Sequence, residues 1–472
     1  MNTRVAVVGA GISGLTAAYE AVEAGCEVQL YEASGRLGGV IQTDVENGFV
    51  LEGGPDSILT AKPWGVDLIR RLGLEDQAVR TQVQYERSLI LRKGRLLPVP
   101  EGFRLMAPQR ILPFALSPVL SWPGKLRMAL DLFIKPRRSD DDETLAKFVI
   151  RRLGLEALER LAQPMIAGIY AADPYRLSLK ATMPQFLEME QRHGSILRAM
   201  LANRNQPRPS ASGPRYGMFL NFPGGTSALV EGLAKRLPEG CVRLQTAVTA
   251  VTPEGDRWVL EAEGRVEHYD VVLLALPAYR SAALLKSVDS GLACDLDSIY
   301  YGSAATVNLG FHERQLRHPL DAFGFVAPAV ENRTLLACTF SHRKWPGRAP
   351  SGTALLRAFV GGSTHPERVD WDDATMLSRV LSELHELLGI EGPPLFHRIS
   401  RWRGSMPEYR VGHLDLVERI DRRAAGLPGL GLLGNAYHGV GIPDCVHRAT
   451  RVTRQLLSSP NLEMSGSPAA GS

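Results

Sequence analysis

Three glycines near the N-terminus have the spacing of a turn that binds phosphate groups. The stretch VAVVGAGISGL places Gly9, Gly11 and Gly14 in a GxGxxG pattern between an apolar run and a helical pattern. Gly9 permits a tight turn, Gly11 lets the backbone approach a pyrophosphate, and Gly14 lets helix and sheet pack closely. Glu32 follows the next apolar run, where its carboxylate can accept hydrogen bonds from ribose hydroxyls. The complete pattern predicts a βαβ unit that binds a dinucleotide at the start of its helix.

Two more glycine-rich stretches follow this unit, GRLGGV at residues 35–40 and GFVLEGGPDSIL at residues 48–59. A nicotinamide-binding domain has no need of a second glycine-rich turn there. The stretches resemble those of FAD enzymes of the amine-oxidase type, in which an arginine and paired glycines hold the adenosine and pyrophosphate, and a later Gly-Pro turn passes beneath the flavin. The resemblance implies one non-covalently bound FAD. The matching residues are Arg36, Gly38, Gly39, Gly53, Gly54 and Pro55.

The stretch GNAYHGVGIPDC at residues 434–445 could place backbone N–H groups against the same cofactor. Reduction puts negative charge on the pyrimidine edge of a flavin, and a helix N-terminus beside that edge stabilises the reduced form by about 0.3–2 kcal/mol. Gly439 and Gly441 permit close approach of the backbone to a flat ring, and Pro443 suits the first turn of a helix. We expect Asp444 to be the N-cap of this helix.

The elements that must position these residues come from distant parts of the chain. With 472 residues, of which 44% are hydrophobic, the chain is long enough for two or three domains. The nucleotide-binding pattern gives way after about residue 80 to a proline-punctuated helical region, and it returns with NFPGGTSALVEGLAKRL and the buried-strand pattern VVLLALP. Residues 300–365 alternate as strands do and precede an amphipathic helix, which predicts a separate sheet-and-helix domain.

The expected fold class is therefore α/β and α+β, with a Rossmann-like FAD-binding domain of the amine-oxidase and p-hydroxybenzoate-hydroxylase type, a mixed-sheet substrate domain and a helical insertion. We assign residues 1–70, 220–288 and 425–458 to the FAD-binding domain and residues 71–98, 180–219 and 289–424 to the substrate-binding domain. Residues 99–179 form the insertion. Residues 459–472 lack apolar side chains that could pack, which predicts a disordered tail.

Several classes of protein are disfavoured by the composition. The five cysteines are scattered without a CxxC pair, and the histidines form no HExxH pair, so we expect neither a disulfide framework nor a metal site. No GxSxG motif supplies a serine nucleophile. The chain has no run of eighteen apolar residues and begins with a strand rather than a signal peptide, which predicts a cytoplasmic protein.

A set of six motifs resembles the protoporphyrinogen/coproporphyrinogen III oxidase family of haem biosynthesis. The motifs are GPDSIL, GIYAADP, NFPGG, KWP, RWRGSMPEYRVGH and GNAYHGVGIPDC, in the family's order between Val5 and about Leu457. The resemblance implies removal of six electrons from a porphyrinogen in three flavin cycles, with dioxygen as acceptor and release of hydrogen peroxide. We expect no catalytic acid or base, because the pyrrole nitrogens stabilise the cation that remains after hydride loss. Orientation in an apolar slot would supply most of the catalysis.

The resemblance also implies two sets of site residues. Arg87 resembles an arginine that pairs with a substrate propionate, since a buried carboxylate requires a partner. Lys62 is a second candidate for this role because it follows the glycine-rich stretch at residues 48–59 toward the substrate side, and a solvated surface charge is the alternative for it. The remaining candidates for the substrate pocket are Gly168, Phe323, Gly324, Val326 and Phe359. The candidates for cofactor binding are Gly9, Ala10, Gly11, Ile12, Ser13, Gly14, Glu32, Ala33, Arg36, Gly38, Gly39, Gly53, Gly54, Pro55, Asp56, Ser57, Val248, Trp402, Gly434, Asn435, Val440, Gly441 and Ile442.

The segment from Glu86 to Leu153 carries fourteen Lys and Arg against seven Asp and Glu, in a chain whose net charge is only +4. Apolar stretches broken by prolines lie within it, which suits peripheral contact with an anionic membrane, as in relatives of the family. A soluble basic lid that steers an anionic substrate explains the same charge. A nucleic-acid partner is disfavoured because no binding motif accompanies the charge.

Three functional alternatives remain open at this stage. Coproporphyrinogen III is the favoured substrate, and protoporphyrinogen IX is the alternative. An amine or carotenoid oxidoreductase on the same scaffold, or a flavin-binding protein without catalysis, would share the nucleotide-binding motifs. The sequence leaves the oligomeric state open.

Overall fold

A five-stranded parallel sheet is built from the short apolar runs of the nucleotide-binding pattern. Its strands lie in the order Val242–Arg243, Glu27–Tyr31, Arg4–Val8, Val271–Leu274 and Leu430–Leu432. In the central strand, Val5 and Val7 pack into one core and Ala6 and Val8 into another. Both faces of the sheet are buried at its centre, which is why the strands Arg4–Val8 and Val271–Leu274 carry apolar runs without alternation. The Rossmann-like fold predicted from the sequence is confirmed.

Helices cover one face of this sheet, and helices together with a small sheet cover the other. The first face packs against Ile12–Glu23, Pro63–Arg71, Ser227–Ala234 and Ile442–Leu457. The second face packs against Ala278–Leu285, Ser290–Asp297, His413–Ala425 and the antiparallel strands Val248–Glu254, Arg257–Ala262 and Arg265–Tyr269.

A seven-stranded mixed sheet forms a second layer, as the alternating pattern predicts. Its order is Phe396–Pro407, Tyr301–His312, Thr353–Gly361, Leu335–Phe340, Gly324–Val326, Leu89–Arg92 and Arg95–Pro98, with one parallel pair between Gly324–Val326 and Leu89–Arg92. One face packs on the amphipathic helix Asp373–Leu388. The other face, which carries Thr306 and Asn308, contacts the loop that follows the strand Phe49–Glu52.

A helical region with its own core completes the molecule. Its helices are Ile111–Leu116, Trp122–Ala129, Leu145–Leu153, Leu155–Ala157, Gln163–Tyr170, Leu179–Thr182, Pro184–His193 and Ile196–Ala202, with a 3₁₀ turn at Leu130–Leu132 and a π turn at Leu158–Ala162. Residues from Leu179 to Met200 share this core with Phe148 and Leu161. The predicted boundary between residues 179 and 180 therefore cuts through one hydrophobic core, and the packing places 179–202 with the helices rather than with the mixed sheet.

The remaining elements are short. The antiparallel strands Ile58–Leu59, Phe219–Asn221 and Val79–Arg80 form one small sheet, and the pairs Thr43–Glu46 with Phe49–Glu52 and Phe103–Arg104 with Ala107–Pro108 form two more. One-turn helices lie at Glu75–Gln77, Val83–Tyr85, Glu313–Gln315, Ala329–Glu331, Ser341–Lys344 and Pro366–Asp370, and the strand Val242–Arg243 is equally short.

The structure is a computed structural model that describes residues 2–100, 103–104, 107–108, 111–170, 172–202 and 218–458. The predicted tail at residues 459–472 lies outside these ranges. Across the described ranges, no helix combines the length and the apolar character needed to cross a membrane. Nor do the same residues contain a group of three or more His, Cys, Asp or Glu side chains that could hold a metal ion.

Candidate active site

The first glycine turn leaves the start of its helix accessible. Gly9 has φ +99°, and a Cβ atom there would lie 2.6 Å from the carbonyl oxygen of Ala275. A Cβ atom on Gly14 would lie 1.8 Å from the carbonyl oxygen of Gly9. Gly11 is the N-cap of the helix Ile12–Glu23, and no described atom outside its immediate neighbours lies within 4 Å of its Cβ position. The buried residues Ala10, Ile12 and Ser13 complete this turn.

The second glycine turn packs directly on the first. The N–H of Gly38 donates to the carbonyl oxygen of Ala10 at 2.8 Å, and a Cβ atom on Gly39 would lie 3.2 Å from the Cα of Gly11. The Arg36 guanidinium donates to the carbonyl oxygen of Gly39 at 2.6 Å, so this arginine fixes the shape of its own turn. The two turns together form one narrow backbone cradle.

The acidic residue at the end of the second strand is held by backbone N–H groups. The two carboxylate oxygens of Glu32 accept from the N–H groups of Ala10 and Ser34, each at 2.8 Å. The N–H of Thr246 donates to the carbonyl oxygen of Glu32 at 2.8 Å, which brings the segment leading to Val248 beside Glu32 and the exposed Ala33. These three predicted residues therefore lie at one edge of the parallel sheet.

The turn Gly53-Gly54-Pro55, called the Gly-Pro turn below, is fixed by side chains of the mixed sheet. Thr306 Oγ1 and Trp402 Nε1 donate to the carbonyl oxygen of Gly53 at 2.9 and 2.8 Å. Arg357 donates to the carbonyl oxygen of Gly54. A Cβ atom on Gly54 would lie 1.6 Å from the carbonyl oxygen of Val40, so the turn accepts no side chain there.

A buried cluster of charges lies below the Gly-Pro turn. Lys344 Nζ donates to both carboxylate oxygens of Asp56 at 3.0 and 3.1 Å and to Ser57 Oγ at 2.8 Å. Arg348, which is fully buried, donates to Glu52 at 3.2 Å. Burial alone would raise the pKa of Asp56, but the charges of Lys344 and Arg357 outweigh it and hold this pKa well below its ordinary value. The GPDS and KWP motifs thus meet in one ion pair.

The loop at residues 434–441, called the C-terminal loop below, runs into the last helix. That helix spans Ile442–Leu457 with Pro443 in its first turn and Gly441 as N-cap, so the prediction of Asp444 as N-cap is wrong. The carboxylate of Asp444 instead pairs with Lys62 Nζ at 2.5 Å and packs against the Cα of Gly439. The carboxylate therefore has a charged partner, and residue 439 must be a glycine because a side chain there would meet the Asp444 carboxylate.

Two of the predicted wall residues, Val326 and Phe359, lie on the face of the mixed sheet that contacts the Gly-Pro turn. The register pairs Val326 with Ala337, Ala337 with Phe359, and Phe359 with Thr306, so these side chains form one row across the sheet. Val326 and Phe359 are half-buried, whereas the residues of the opposite face are buried. Phe359 lies under the Arg357 guanidinium, 4.8 Å from its ring centroid. The row is therefore an apolar surface that ends at the Gly-Pro turn.

The helical region and the C-terminal loop border the same row. A Cβ atom on the exposed Gly168 would have Val326 as its nearest neighbour, at 3.8 Å. Val440 and Val326 both pack against the core of the helical region. Gly324, with φ +149°, begins the strand that contains Val326, and a Cβ atom on it would lie 2.1 Å from the carbonyl oxygen of Cys338. These contacts place the sheet, the helical region and the C-terminal loop around Val326.

The predicted cation Arg87 lies beside Phe323, before the strand Leu89–Arg92, whereas Ile90 of that strand continues the row from Val326. The N–H of Phe323, which directly precedes the strand Gly324–Val326, donates to the carbonyl oxygen of Arg87 at 2.9 Å. The half-exposed Arg87 guanidinium pairs with the carboxylate of Asp321 and donates to its carbonyl oxygen at 2.6 Å. Arg87 and Lys62 therefore each have a carboxylate partner within the chain.

Sequence reasoning gave no role to several residues that hold the site together. Arg357 is two positions from Phe359, and strand alternation alone places both side chains on one face. Lys344 stood within the quoted KWP motif, but its pairing with Asp56 joins residues 288 apart. Tyr409 and His413 stood within RWRGSMPEYRVGH, and both contact the C-terminal loop.

The residues present fit a bound flavin dinucleotide. The glycine cradle has no side chain at Gly11, where a pyrophosphate would meet the N-terminus of a twelve-residue helix. The Gly-Pro turn adjoins the apolar row on the mixed sheet, a surface that suits a flat ring. The backbone of these turns would hold the group.

Comparisons with known proteins bear on the family and the fold of the chain. Residues 12–457 match the family of flavin containing amine oxidoreductases. The chain is 34% identical to a coproporphyrinogen III oxidase of Bacillus subtilis, over 96% of this chain and 98% of that protein. It is 28% identical to protoporphyrinogen oxidase 2 of Arabidopsis thaliana, over 96% of this chain and 94% of that protein.

A solved structure extends the comparison to the fold. The crystal structure of a protein provisionally named protoporphyrinogen oxidase, from Exiguobacterium sp. 255-15, superposes with a TM-score of 0.87 at 33% identity. The match covers 98% of this chain and 99% of that one. The chain therefore belongs to the flavin containing amine oxidoreductase family and, within it, to the coproporphyrinogen III and protoporphyrinogen oxidases.

Proposed function

We propose that the protein is an FAD-dependent oxidase that converts coproporphyrinogen III to coproporphyrin III, with dioxygen as electron acceptor and hydrogen peroxide as by-product. The observation that carries the proposal is the apolar row of Val326 and Phe359, which ends at the Gly-Pro turn and faces Gly168. A large macrocycle with an extended apolar surface fits such a row better than a small amine does. The identity to named coproporphyrinogen III oxidases exceeds that to the plant protoporphyrinogen oxidases and supports this choice of substrate.

The chain's own contribution to the reaction is orientation rather than proton transfer. A bound flavin supplies a two-electron acceptor that dioxygen reoxidises. The row on the mixed sheet would hold the macrocycle parallel to its wall, and Gly168 would leave room for it on the helical side. Trp402, Thr306 and Arg357 fix the Gly-Pro turn, so the wall and the cofactor site keep one relative position.

Arg87 and Lys62 are the proposed partners of the substrate propionates. Each is now paired with a carboxylate of the chain, Asp321 or Asp444. When the substrate binds, each cation would exchange a carboxylate of the chain for a propionate of the substrate. Neither cation would then be buried without a partner. Both are partly exposed, which suits groups at the rim of a slot.

Initial rates with coproporphyrinogen III and protoporphyrinogen IX test the choice of substrate. We expect a kcat/KM at least tenfold higher for coproporphyrinogen III, measured by porphyrin fluorescence in air. A higher value for protoporphyrinogen IX would reverse the assignment within the same family. An unchanged flavin spectrum after anaerobic addition of either porphyrinogen would instead support a flavin-binding protein without this activity.

A second proposal concerns peripheral contact with an anionic membrane. Trp122, Leu126, Leu130 and Phe133 are at least half exposed and follow one face of the helix Trp122–Ala129 and the turn after it. On the opposite side of the same segment, Met128 and Asp131 are buried. Exposed cations at Lys135 and Arg138 flank the stripe, as expected of a helix that lies in a membrane interface.

A further inference from the structure

Two side chains of the segment 402–413 hold alternate backbone groups of the C-terminal loop. The Tyr409 hydroxyl donates to the carbonyl oxygen of Asn435 at 2.6 Å and accepts from the N–H of Gly439 at 2.8 Å. His413 Nε2 lies 2.9 Å from the carbonyl oxygen of Tyr437. The contacts therefore fall on residues 435, 437 and 439, every second position of the loop.

The two side chains form one rigid unit. The rings of Tyr409 and His413 are stacked, with centroids 3.9 Å apart and an interplanar angle of 11°, and both are buried. Burial lowers the pKa of His413 to about 4, so the ring is neutral at physiological pH. Because its Nε2 faces a carbonyl oxygen, this nitrogen carries the proton and donates. The pair thus supplies two donors and one acceptor in a fixed geometry.

The same segment also reaches the Gly-Pro turn. Trp402, seven residues before Tyr409, donates to the carbonyl oxygen of Gly53. The Asn435 amide donates to the carbonyl oxygen of Ser405 at 3.3 Å. Residues 402–413 therefore contact both stretches that we place beside the flavin, and they set the distance between these stretches.

We propose that Tyr409 and His413 are positioning residues that fix the backbone of the C-terminal loop and thereby set the reduction potential of the flavin. Gly439 has φ +145°, a conformation that a glycine-rich loop would leave readily without the hydroxyl bridge between residues 435 and 439. The bridge directs the N–H groups that follow, at Val440 and Gly441, and the helix N-terminus beyond them. Such groups stabilise a reduced, negatively charged ring only when their direction is fixed in advance. The inference rests on the proposed function, because it requires flavin at this loop.

The test is the midpoint potential of the flavin in the holoenzyme, measured by anaerobic dye equilibration. Tyr409→Phe keeps the stacked ring and removes only the hydroxyl. We expect the ratio of affinities for reduced and oxidised flavin to fall about tenfold, which for a two-electron couple lowers the potential by about 30 mV. Tyr269→Phe is the matched control, because it removes another buried tyrosine hydroxyl, paired with Tyr31 at 2.6 Å and outside the loop. We expect it to leave the potential unchanged.

A pair of histidine variants keeps the test decisive if Tyr409→Phe does not retain flavin. His413→Gln can still donate to the carbonyl oxygen of Tyr437, and we expect a potential near that of the unsubstituted protein. His413→Leu cannot donate, and we expect a lower potential. Equal potentials in all four variants, with flavin bound, would overturn the inference and leave the proposed function intact. An unsubstituted protein that binds no flavin would overturn both.

Discussion

Asp56 links a buried ion pair to the turn that we place beside the cofactor. Its carboxylate holds Lys344 and approaches Arg357, and Arg357 in turn holds the Gly-Pro turn. Since its pKa is lowered in the folded protein, Asp56 contributes stability that is present above its ordinary pKa and is lost as the pH falls below about 4. Protonation of Asp56 at low pH should therefore weaken both the fold and the contacts that shape the cofactor site.

Lys344→Met removes the closest partner of this buried carboxylate. We expect a loss of about 3 kcal/mol in the free energy of unfolding, since Arg357 remains nearby and only one partner is lost. The pKa of Asp56 should rise, so acid-induced release of flavin should begin at a higher pH. Fluorescence of released flavin during acid titration measures this shift, with Lys147→Met, an exposed lysine, as the control. Identical titration curves for both variants would contradict the role given to the pair.

Among elements, the segment 122–133 is joined to the rest of the helical region by a buried ion pair. Its exposed side is apolar, and its attachment includes the buried Met128 and Asp131 as well as hydrogen bonds from Arg127 to the carbonyl oxygens of Ile150 and Arg151. Asp131 pairs with Arg152 Nε at 2.5 Å, with both side chains fully buried, and accepts from Ser195 Oγ at 2.6 Å. This pair joins the segment to the helix Leu145–Leu153 and to the turn before Ile196–Ala202.

Asp131→Ala removes the closer of the two carboxylates that face the buried Arg152 and leaves Glu190 at 3.4 Å. We expect a loss of about 3 kcal/mol in the free energy of unfolding, measured by urea denaturation. Asp141→Ala removes an exposed carboxylate 3.6 Å from Arg137 in the same region and should change stability little. Equal midpoints for the two variants would show that the buried pair does not anchor the segment.

The elements differ in how far the sequence could predict them. The first βαβ unit was predictable because Gly9, Gly11 and Gly14 act within one local turn. The N-cap of the last helix was not predictable from the sequence, because Asp444 forms an ion pair with Lys62, a residue 382 positions away. The bridge of Tyr409 to the C-terminal loop likewise depends on the packing of distant segments, although both quoted motifs were visible in the sequence. Local patterns predict turns and periodicity, whereas the choice of polar partners requires the tertiary arrangement.

At the scale of the whole molecule, the exposed stripe formed by Trp122, Leu126, Leu130 and Phe133 faces away from the core of the helical region. Peripheral membrane contact and a basic lid over the substrate make different predictions for it. Contact with lipid would bury Trp122 and Phe133, which are 67% and 80% exposed. A basic lid over the substrate would depend on the Lys and Arg charges of the region and not on these aromatic side chains.

The variant Trp122→Ser/Phe133→Ser separates these two interpretations. Because each side chain would bury an aromatic surface in the interface, we expect binding to vesicles of phosphatidylglycerol and phosphatidylcholine to weaken more than tenfold. Val266→Ser, which removes another exposed apolar side chain far along the chain, should bind as the unsubstituted protein does. If the unsubstituted protein does not sediment with these vesicles and its kcat/KM falls steeply with salt, the basic lid is the correct interpretation.

The visible spectrum of the purified protein, recorded before and after addition of coproporphyrinogen III, tests the central claim most directly. We predict flavin absorption bands that bleach on anaerobic addition of the porphyrinogen, and a porphyrin Soret band that grows once air is admitted. A colourless protein that takes up no added FAD, or a flavin that stays oxidised in the presence of the porphyrinogen, would contradict the account.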